Sequence, residues 1–331
     1  MILAGDIGGT NTRLAVVAME DRWPRVMVEQ TFPSREHESF DEIVRQFLGQ
    51  HGLTIKRACF GVAGPIRNRQ VNLSNLPWVV DADQLVTVFG FDAVTLVNDL
   101  EATGFGIVAL EAKDFAVLNE GASEPEGNTA IISAGTGLGE GGVLVEGKLR
   151  RPFASEGGHA DFAPRNELEI ELLRYLILQF HHVSYERVLS GPGLLNIYTF
   201  LRDTGRGEEP AWLAAEMREA VPPTVITRAA LDGKSELCMR ALDLFVSIYG
   251  AEAGNLALKV KATGGVFLGG GIAPRIIEKL KGPAFMEAFT AKGRMRPLLE
   301  EVPVRVVLND MTAVLGAALY ESTRGRPHVR I

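Results

Sequence analysis

Glycine is the residue type that most constrains this chain. It supplies 36 of the 331 residues, and the main clusters each follow a short apolar run. Ile2 to Ala4 leads into Gly5-Asp6-Ile7-Gly8-Gly9-Thr10-Asn11-Thr12, after which Leu14 to Ala18 is apolar again. Thr129 to Ser133 leads into Ala134-Gly135-Thr136-Gly137-Leu138-Gly139-Glu140-Gly141-Gly142, after which Val143 to Glu146 reads as a strand. A turn this rich in glycine serves where φ is positive or where backbone must come closer than a Cβ allows. The strand, glycine turn, strand pattern occurs twice, which predicts a duplicated unit heading each of two domains. Val266-Phe267-Leu268 running into Gly269-Gly270-Gly271 is a third strand end of the same kind.

The rest of the chain alternates strand and helix signals, as α/β proteins do. Val26 to Phe32 alternates apolar and polar residues, while Ala58 to Ala63 and Val94 to Val97 read as buried strands stopped by Gly64-Pro65 and Asn98-Asp99. Phe40, Ile43, Val44, Phe47 and Leu48 recur at helical spacing, with Ser39 and Glu42 forming a capping box. Leu168 to Phe180 and Glu236 to Lys259 predict helices, Arg202 to Pro223 a surface excursion around a short helix, Val304 to Leu308 a late strand and Thr312 to Thr323 a closing helix. Arg324 to Ile331 is a short basic tail with no assigned role. A net charge of −7 argues against a nucleic-acid-binding surface. No run approaches a membrane span and the N-terminus lacks a signal-peptide pattern, so the expected location is cytoplasmic. Cys59 and Cys238 are isolated in apolar surroundings, which favours buried thiols over a disulfide or a cysteine-based zinc site.

Two motifs mislead. Gly137-x-Gly139-x-x-Gly142 satisfies the dinucleotide fingerprint formally, but a strand follows where that fingerprint requires a helix. Gly233-Lys234-Ser235 resembles the end of a P-loop, yet Arg228 stands where its first glycine belongs. The Gly8-Gly9-Thr10 turn behind a buried acid offers bare N–H groups and a hydroxyl to phosphate, and Asp6 suits Mg²⁺ directly or through water. Gly135-Thr136-Gly137 repeats that offer, and Gly269-Gly270-Gly271 suits the flat face of a base or ribose. Asn98 also reads as an N-cap, with Glu101 closing a capping box. Asp99 stands at a strand's C-terminal end, where α/β sheets bind ligands.

Taken in order, these glycine elements resemble the two phosphate segments and the adenosine segment of the actin-like ATPase superfamily. Within it, Ala63-Gly64-Pro65, Val97-Asn98-Asp99, Ser155-Glu156-Gly157-Gly158-His159-Ala160-Asp161-Phe162-Ala163-Pro164, Glu186-Arg187-Val188-Leu189-Ser190-Gly191-Pro192-Gly193 and Leu268-Gly269-Gly270-Gly271-Ile272 resemble the bacterial glucokinase family, from Ile2 to about Glu321. The resemblance implies a two-domain actin-like (ribonuclease H-like) α/β fold with a substrate cleft between the domains. The small domain would hold residues 1–110 plus 306–325, and the large one 111–305. It implies ATP-dependent phosphorylation of D-glucose at the 6-hydroxyl, a step of glycolysis, with Asp99 as catalytic base. Asn98, Asp99, Glu156, His159 and Glu186 would hold the sugar. Gly5, Asp6, Ile7, Gly8, Gly9, Thr10, Gly135, Thr136, Gly137, Gly269, Gly270 and Gly271 would hold ATP, with Mg²⁺ at Asp6. The Cys-x-Cys-Gly-x-x-Gly-Cys site of the related ROK kinases is absent, so no zinc is expected. Mannose or N-acetylglucosamine as substrate, polyphosphate as donor, a sugar-sensing regulator without turnover, and a homodimer stay open at this point.

Overall fold

The computed structural model describes every residue except Leu53, Ser74, Asn75, Ser123, 324–328 and Ile331. Strand β1 (Ile2–Ile7) turns back as β2 (Asn11–Glu20) and β3 (Trp23–Pro33). Helix α1 (Phe40–His51), β4 (Arg57–Val62), the short ribbon of β5 (Gln70–Asn72) and β6 (Val79–Asp81), α2 (Ala82–Phe89), β7 (Ala93–Asn98) and α3 (Asp99–Ile107) follow. Next come β8 (Phe115–Asn119), β9 (Thr129–Ala134), β10 (Leu138–Glu146), β11 (Leu149–Ser155), α4 (Glu167–Phe180), α5 (Gly191–Asp203), α6 (Ala211–Glu219), α7 (Pro222–Leu231) and α8 (Glu236–Val260). The chain closes through β12 (Gly265–Gly269), α9 (Ile277–Leu280), α10 (Pro283–Thr290), α11 (Arg296–Glu300), β13 (Val304–Val307) and α12 (Thr312–Ser322). Among the described residues no helix is long and apolar enough to cross a membrane.

The chain divides into two compact units. One comprises Met1–Asp114, Gly141–Ala154 and Asn309–Ile331, the other Phe115–Glu140 and Ser155–Leu308. The boundaries expected from sequence differ mainly at the hairpin arm 141–154, which groups with the first unit. There Gly104 of α3 lies so close to Pro152 that a Cβ would come within 2.9 Å of the proline Cβ.

The first sheet has the order β3-β2-β1-β4-β7. Its first three strands form an antiparallel meander, and β4 and β7 run parallel to β1. The second sheet repeats that succession as β11-β10-β9-β12-β13, with β8 added beyond β13. The duplication read from the two glycine turns is thus present in the strand order. One reading needs correction. The glycine stretch after Thr129–Ser133 is not a turn as far as Gly142: the turn is confined to Gly135–Gly137, and β10 already begins at Leu138. Glycine there serves close packing rather than chain reversal, since a Cβ at Gly141 would overlap the Phe153 carbonyl. The basic tail lies outside the described residues apart from Val329–Arg330, which pairs with the start of β11.

In the first unit, one face of the sheet is bulky. Leu3, Ile7, Leu14, Val16, Phe60 and Val62 pack there with Phe40 and Phe47 of α1. On the opposite face the small residues Ala4, Ala15 and Cys59 pack with Ala102 of α3 and with Val314, Ala317 and Ala318 of α12. Small side chains let α3 and α12 approach backbone to backbone. A Cβ at Gly106 would overlap the Thr312 carbonyl oxygen, and one at Gly316 would overlap that of Ala102. Asp6 alternates with Ala4 onto this same face. In the second unit the 25-residue α8 is buried along most of its length. Gly250 and Gly254 bring it against the carbonyls of Phe285 and Phe289 in α10.

Candidate active site

In the first unit the parallel register brings three chain segments to one sheet edge. Ile7 lies opposite Val62, and Val62 opposite Asn98. The Gly8–Thr10 turn, Ala63-Gly64-Pro65 and Asn98-Asp99 therefore emerge side by side at the C-terminal ends of β1, β4 and β7. Two strand spacings, about 10 Å, separate the first from the last. The turn closes with a Gly8 N–H bond to the Asn11 carbonyl (3.0 Å). Ser34, which sequence reasoning missed, clamps it from the end of β3. Its hydroxyl donates to the Gly8 carbonyl (2.8 Å) and its N–H to the Thr10 carbonyl (2.9 Å), while Thr12 Oγ1 lies 2.9 Å from Ser34 Oγ. The N–H groups of Gly9 and Thr10 take no protein acceptor among the described residues, so the turn presents donors to an anion. Gly8 has no positive φ. Its need for glycine is the Asn11 carbonyl oxygen, 2.9 Å from where a Cβ would stand.

Asp6 pairs across the hairpin with Arg13. Arg13 is itself held by Thr31 Oγ1 (3.1 Å) and by the carboxylate (2.6 Å) and carbonyl of Asp310 just ahead of α12. Burial pushes the Asp6 carboxyl up to about 6, with the Arg13 guanidinium pulling the other way. At the far end of the edge, Asn98 caps α3, its side-chain oxygen accepting the Leu100 N–H (2.9 Å). Its own N–H bonds to Glu101, whose carboxyl burial holds above the ordinary range. The capping reading of Asn98 is therefore correct. Asp99 Oδ1 also accepts the Leu100 N–H (3.0 Å), which fixes that carboxylate at the strand end. The other capping box closes differently from expectation. Ser39 caps α1 by accepting the Glu42 N–H, but the Glu42 carboxylate takes the N–H of Glu38 rather than of Ser39.

The second unit gathers its own set. Gly269 of β12 lies opposite Ser133 of β9 in parallel register, so the Gly135–Gly137 turn and Gly270-Gly271 leave neighbouring strand ends. Gly270 has φ +78°, and a Cβ there would overlap the Ala134 carbonyl. Gly135 and Gly271 face open space. The Glu186–Gly193 segment is tied to this turn. Glu186 Oε2 accepts the Leu138 N–H (3.0 Å) and lies where a Gly137 Cβ would have to go. The Gly191 N–H donates to the Gly135 carbonyl (2.8 Å). The Ser190 hydroxyl donates to the Glu186 carbonyl (2.7 Å), and Ser190 caps α5.

Glu156-Gly157-Gly158-His159 forms a single 3₁₀ turn laid on β10. A Cβ at Gly158 would overlap the Leu138 carbonyl, and one at Gly157 the Glu140 carboxylate. The Glu156 and His159 side chains stay exposed, 3.9 Å apart. Glu156, His159, Glu186 and Gly135–Gly137 are thus brought to one stretch of the second unit. Asn98, Asp99 and Asp6 are brought to one edge of the first. Glu140 was missed as well, and the signal was in the sequence: an ionisable residue between two glycines of a strand that is otherwise apolar until its last residue, Glu146. Among the described residues no group of three or more His, Cys, Asp and Glu side chains is arranged to hold a metal ion.

Two sheets of matching order, each ending in glycine-lined loops, define an actin-like sugar-kinase fold. Solved structures share it. A glucokinase from an Antarctic psychrotroph superimposes with a TM-score of 0.83 at 32% identity, covering 97% of this chain and 98% of that one. A ROK family glucokinase from Streptomyces griseus, in complex with glucose and AMPPNP, gives a TM-score of 0.65 at 20% identity over 96% and 97%. The glucokinase of Nostoc sp. is 42% identical over 335 residues, 96% of this chain and 98% of that protein. The sequence model of the glucokinase family matches residues 3–324. The chain belongs to the glucokinase family.

Proposed function

We propose that the chain transfers the γ-phosphoryl group of ATP to the 6-hydroxyl of D-glucose. The observation that carries this reading is the common sheet edge of the first unit. An anion-ready glycine turn and an anchored carboxylate, Asp99, stand about two strand spacings apart on one rigid platform. Phosphoryl transfer asks little covalent chemistry of a protein. It asks for a positioned hydroxyl, an acceptor for its proton and donors for the phosphate charge. Asp99 is the proton acceptor in this reading, with Asn98 beside it on the sugar. The Gly9 and Thr10 N–H groups bind phosphate oxygens. In the second unit Gly135–Gly137 takes the other phosphates and Gly269–Gly271 the adenosine, while Glu156, His159 and Glu186 hold sugar hydroxyls. The glucose and AMPPNP bound to the Streptomyces griseus enzyme support the same pair of ligands here.

Mg²⁺ fits Asp6. A carboxyl that burial has raised to about 6, facing one guanidinium and standing beside open N–H groups, suits an ion that takes one or two carboxylates and fills its remaining positions from water and phosphate. When bound, the ion neutralises charge on the phosphates. A cytoplasmic location and a homodimeric state belong to the same proposal, the latter open to sedimentation.

The test is a coupled assay with ATP across a panel of hexoses, run beside Asp99→Asn. Glucose should be the preferred acceptor. The variant should keep its glucose Kd within a few-fold while kcat falls about 10²–10⁴-fold, the usual worth of general-base assistance. A variant retaining more than about a tenth of kcat would move the base elsewhere, and preference for another hexose would replace glucose in the reading.

A further inference from the structure

Beneath the Glu156–His159 turn lies a buried polar cluster that the proposed reaction leaves unused. Glu140, on β10, is 1% exposed. Its main-chain carbonyl accepts the Ser155 hydroxyl (2.9 Å), and Ser155 Oγ accepts the Gly157 N–H (3.2 Å). Its carboxylate occupies the space a Gly157 side chain would need. Its Oε1 finds no hydrogen-bond donor. Its carboxyl instead faces that of Glu252 of α8, which is fully buried, near enough for the two to share a hydrogen bond. Two carboxyl groups form a hydrogen bond only when one proton lies between them.

Donor counting assigns that proton. Glu252 accepts from Asn255 Nδ2 (2.7 Å) on one oxygen and from Lys259 Nζ (3.1 Å) on the other. A donor on each oxygen, one of them a cation, marks Glu252 as the ionised partner. The orphan oxygen marks Glu140 as the acid. We propose that Glu140 is a positioning residue of the sugar site: as a neutral acid bonded to Glu252 it supports the Glu156–His159 turn, and on ionising it releases that turn. This rests on the reading that Glu156 and His159 hold the sugar.

Burial, followed by the Glu252 charge, holds the Glu140 carboxyl at about 7, so the change falls at ordinary pH. Ionisation would put a second negative charge beside Glu252, directly under Gly157, with no donor to receive it. The charged and titratable groups around the pair are Glu252 and Lys259 from α8, Tyr185 from the segment before α5, Lys292 after α10, and Glu156 and His159 in the turn itself. The Arg165–Glu169 pair lies beyond Lys292. Lys292, bonded to the Ala251 carbonyl and Asn255 Oδ1, is pushed down to about 8 chiefly by burial and so also changes charge in this range. The control must therefore act on Glu140 alone. Glu140→Gln does so: it is neutral at every pH and can still donate to Glu252.

The test measures two quantities between pH 6 and 8.5. One is amide protection of segment 155–160 by hydrogen exchange, corrected for the intrinsic rate at each pH. The other is the glucose Kd by calorimetry. If only the neutral acid supports the turn, wild-type Kd should rise by up to about 30-fold across that range, as the competent fraction falls. Protection should drop in parallel. Glu140→Gln should hold both level, and Glu140→Ala should be weak at every pH. Wild-type protection that ignores pH, or a Glu140→Gln variant that follows the wild-type curve, overturns the proposal. Protection that obeys Glu140 while Glu156→Ala leaves glucose affinity unchanged would keep the positioning role and refute the sugar-binding reading of the turn.

Discussion

Asp6→Asn should make the metal-free protein more stable while removing its activity. The Asp6 carboxyl has an ordinary pKa of 3.8 and stands at about 6 in the folded protein, because burial disfavours its charged form by more than Arg13 restores. A displacement of that size corresponds to about 3 kcal/mol, an upper figure, since Asp6 keeps part of its surface in water. The sign follows from proton binding. Between pH 3.8 and 6 the folded state holds more protons at this site than the unfolded state. Stability contributed here is therefore greatest below pH 4 and falls as pH rises towards 6. Asparagine carries no charge to bury, and Arg13 keeps Thr31 and Asp310 as partners. Urea unfolding in EDTA at steps from pH 4 to 8 measures the difference between variant and wild type. It should be near zero at pH 4, grow through pH 5–6, and level off at about 1–3 kcal/mol in favour of Asp6→Asn. Phosphoryl transfer by the variant should be lost at every pH. A variant less stable than wild type at pH 8, or a difference that does not change with pH, would show that Asp6 is not a strained buried acid and would remove the reason for placing Mg²⁺ there.

Two further outcomes follow from backbone packing. Gly8→Val puts a Cβ 2.9 Å from the Asn11 carbonyl, so the turn must open: calorimetry should show ATP affinity falling at least tenfold with glucose affinity unchanged, and the reverse pattern would reassign the turn. Gly316→Ala would drive a methyl into the Ala102 carbonyl at the α3–α12 contact; overpacking of this kind costs about 1–3 kcal/mol or more, and a variant with wild-type urea midpoint would mean that the two helices are not held this closely.

Much of this protein was legible from one dimension because its key elements are local. A glycine turn between two apolar runs that both read as strands closes a hairpin, and an acid directly after a buried strand stands at a sheet edge. The hairpins at Gly8–Thr10 and Gly135–Gly137, the caps at Ser39 and Asn98, and the long helices over 167–180 and 236–260 all follow from neighbours in sequence. The error over Gly139–Gly142 shows where such reading stops. Glycine has several uses, and only the partner across the gap tells them apart. At Gly141 the partner is the Phe153 carbonyl, at Gly157 the Glu140 carboxylate, and at Gly106 the Thr312 carbonyl. Ser34 clamps a turn more than twenty residues earlier in the chain, and Glu140 meets Glu252 across 112 positions. No period or motif records such pairings. They exist because parallel strand register and helix packing bring distant residues within hydrogen-bond reach, and burial then gives an ordinary carboxyl, Asp6 or Glu140, a proton affinity that its neighbours in sequence do not dictate.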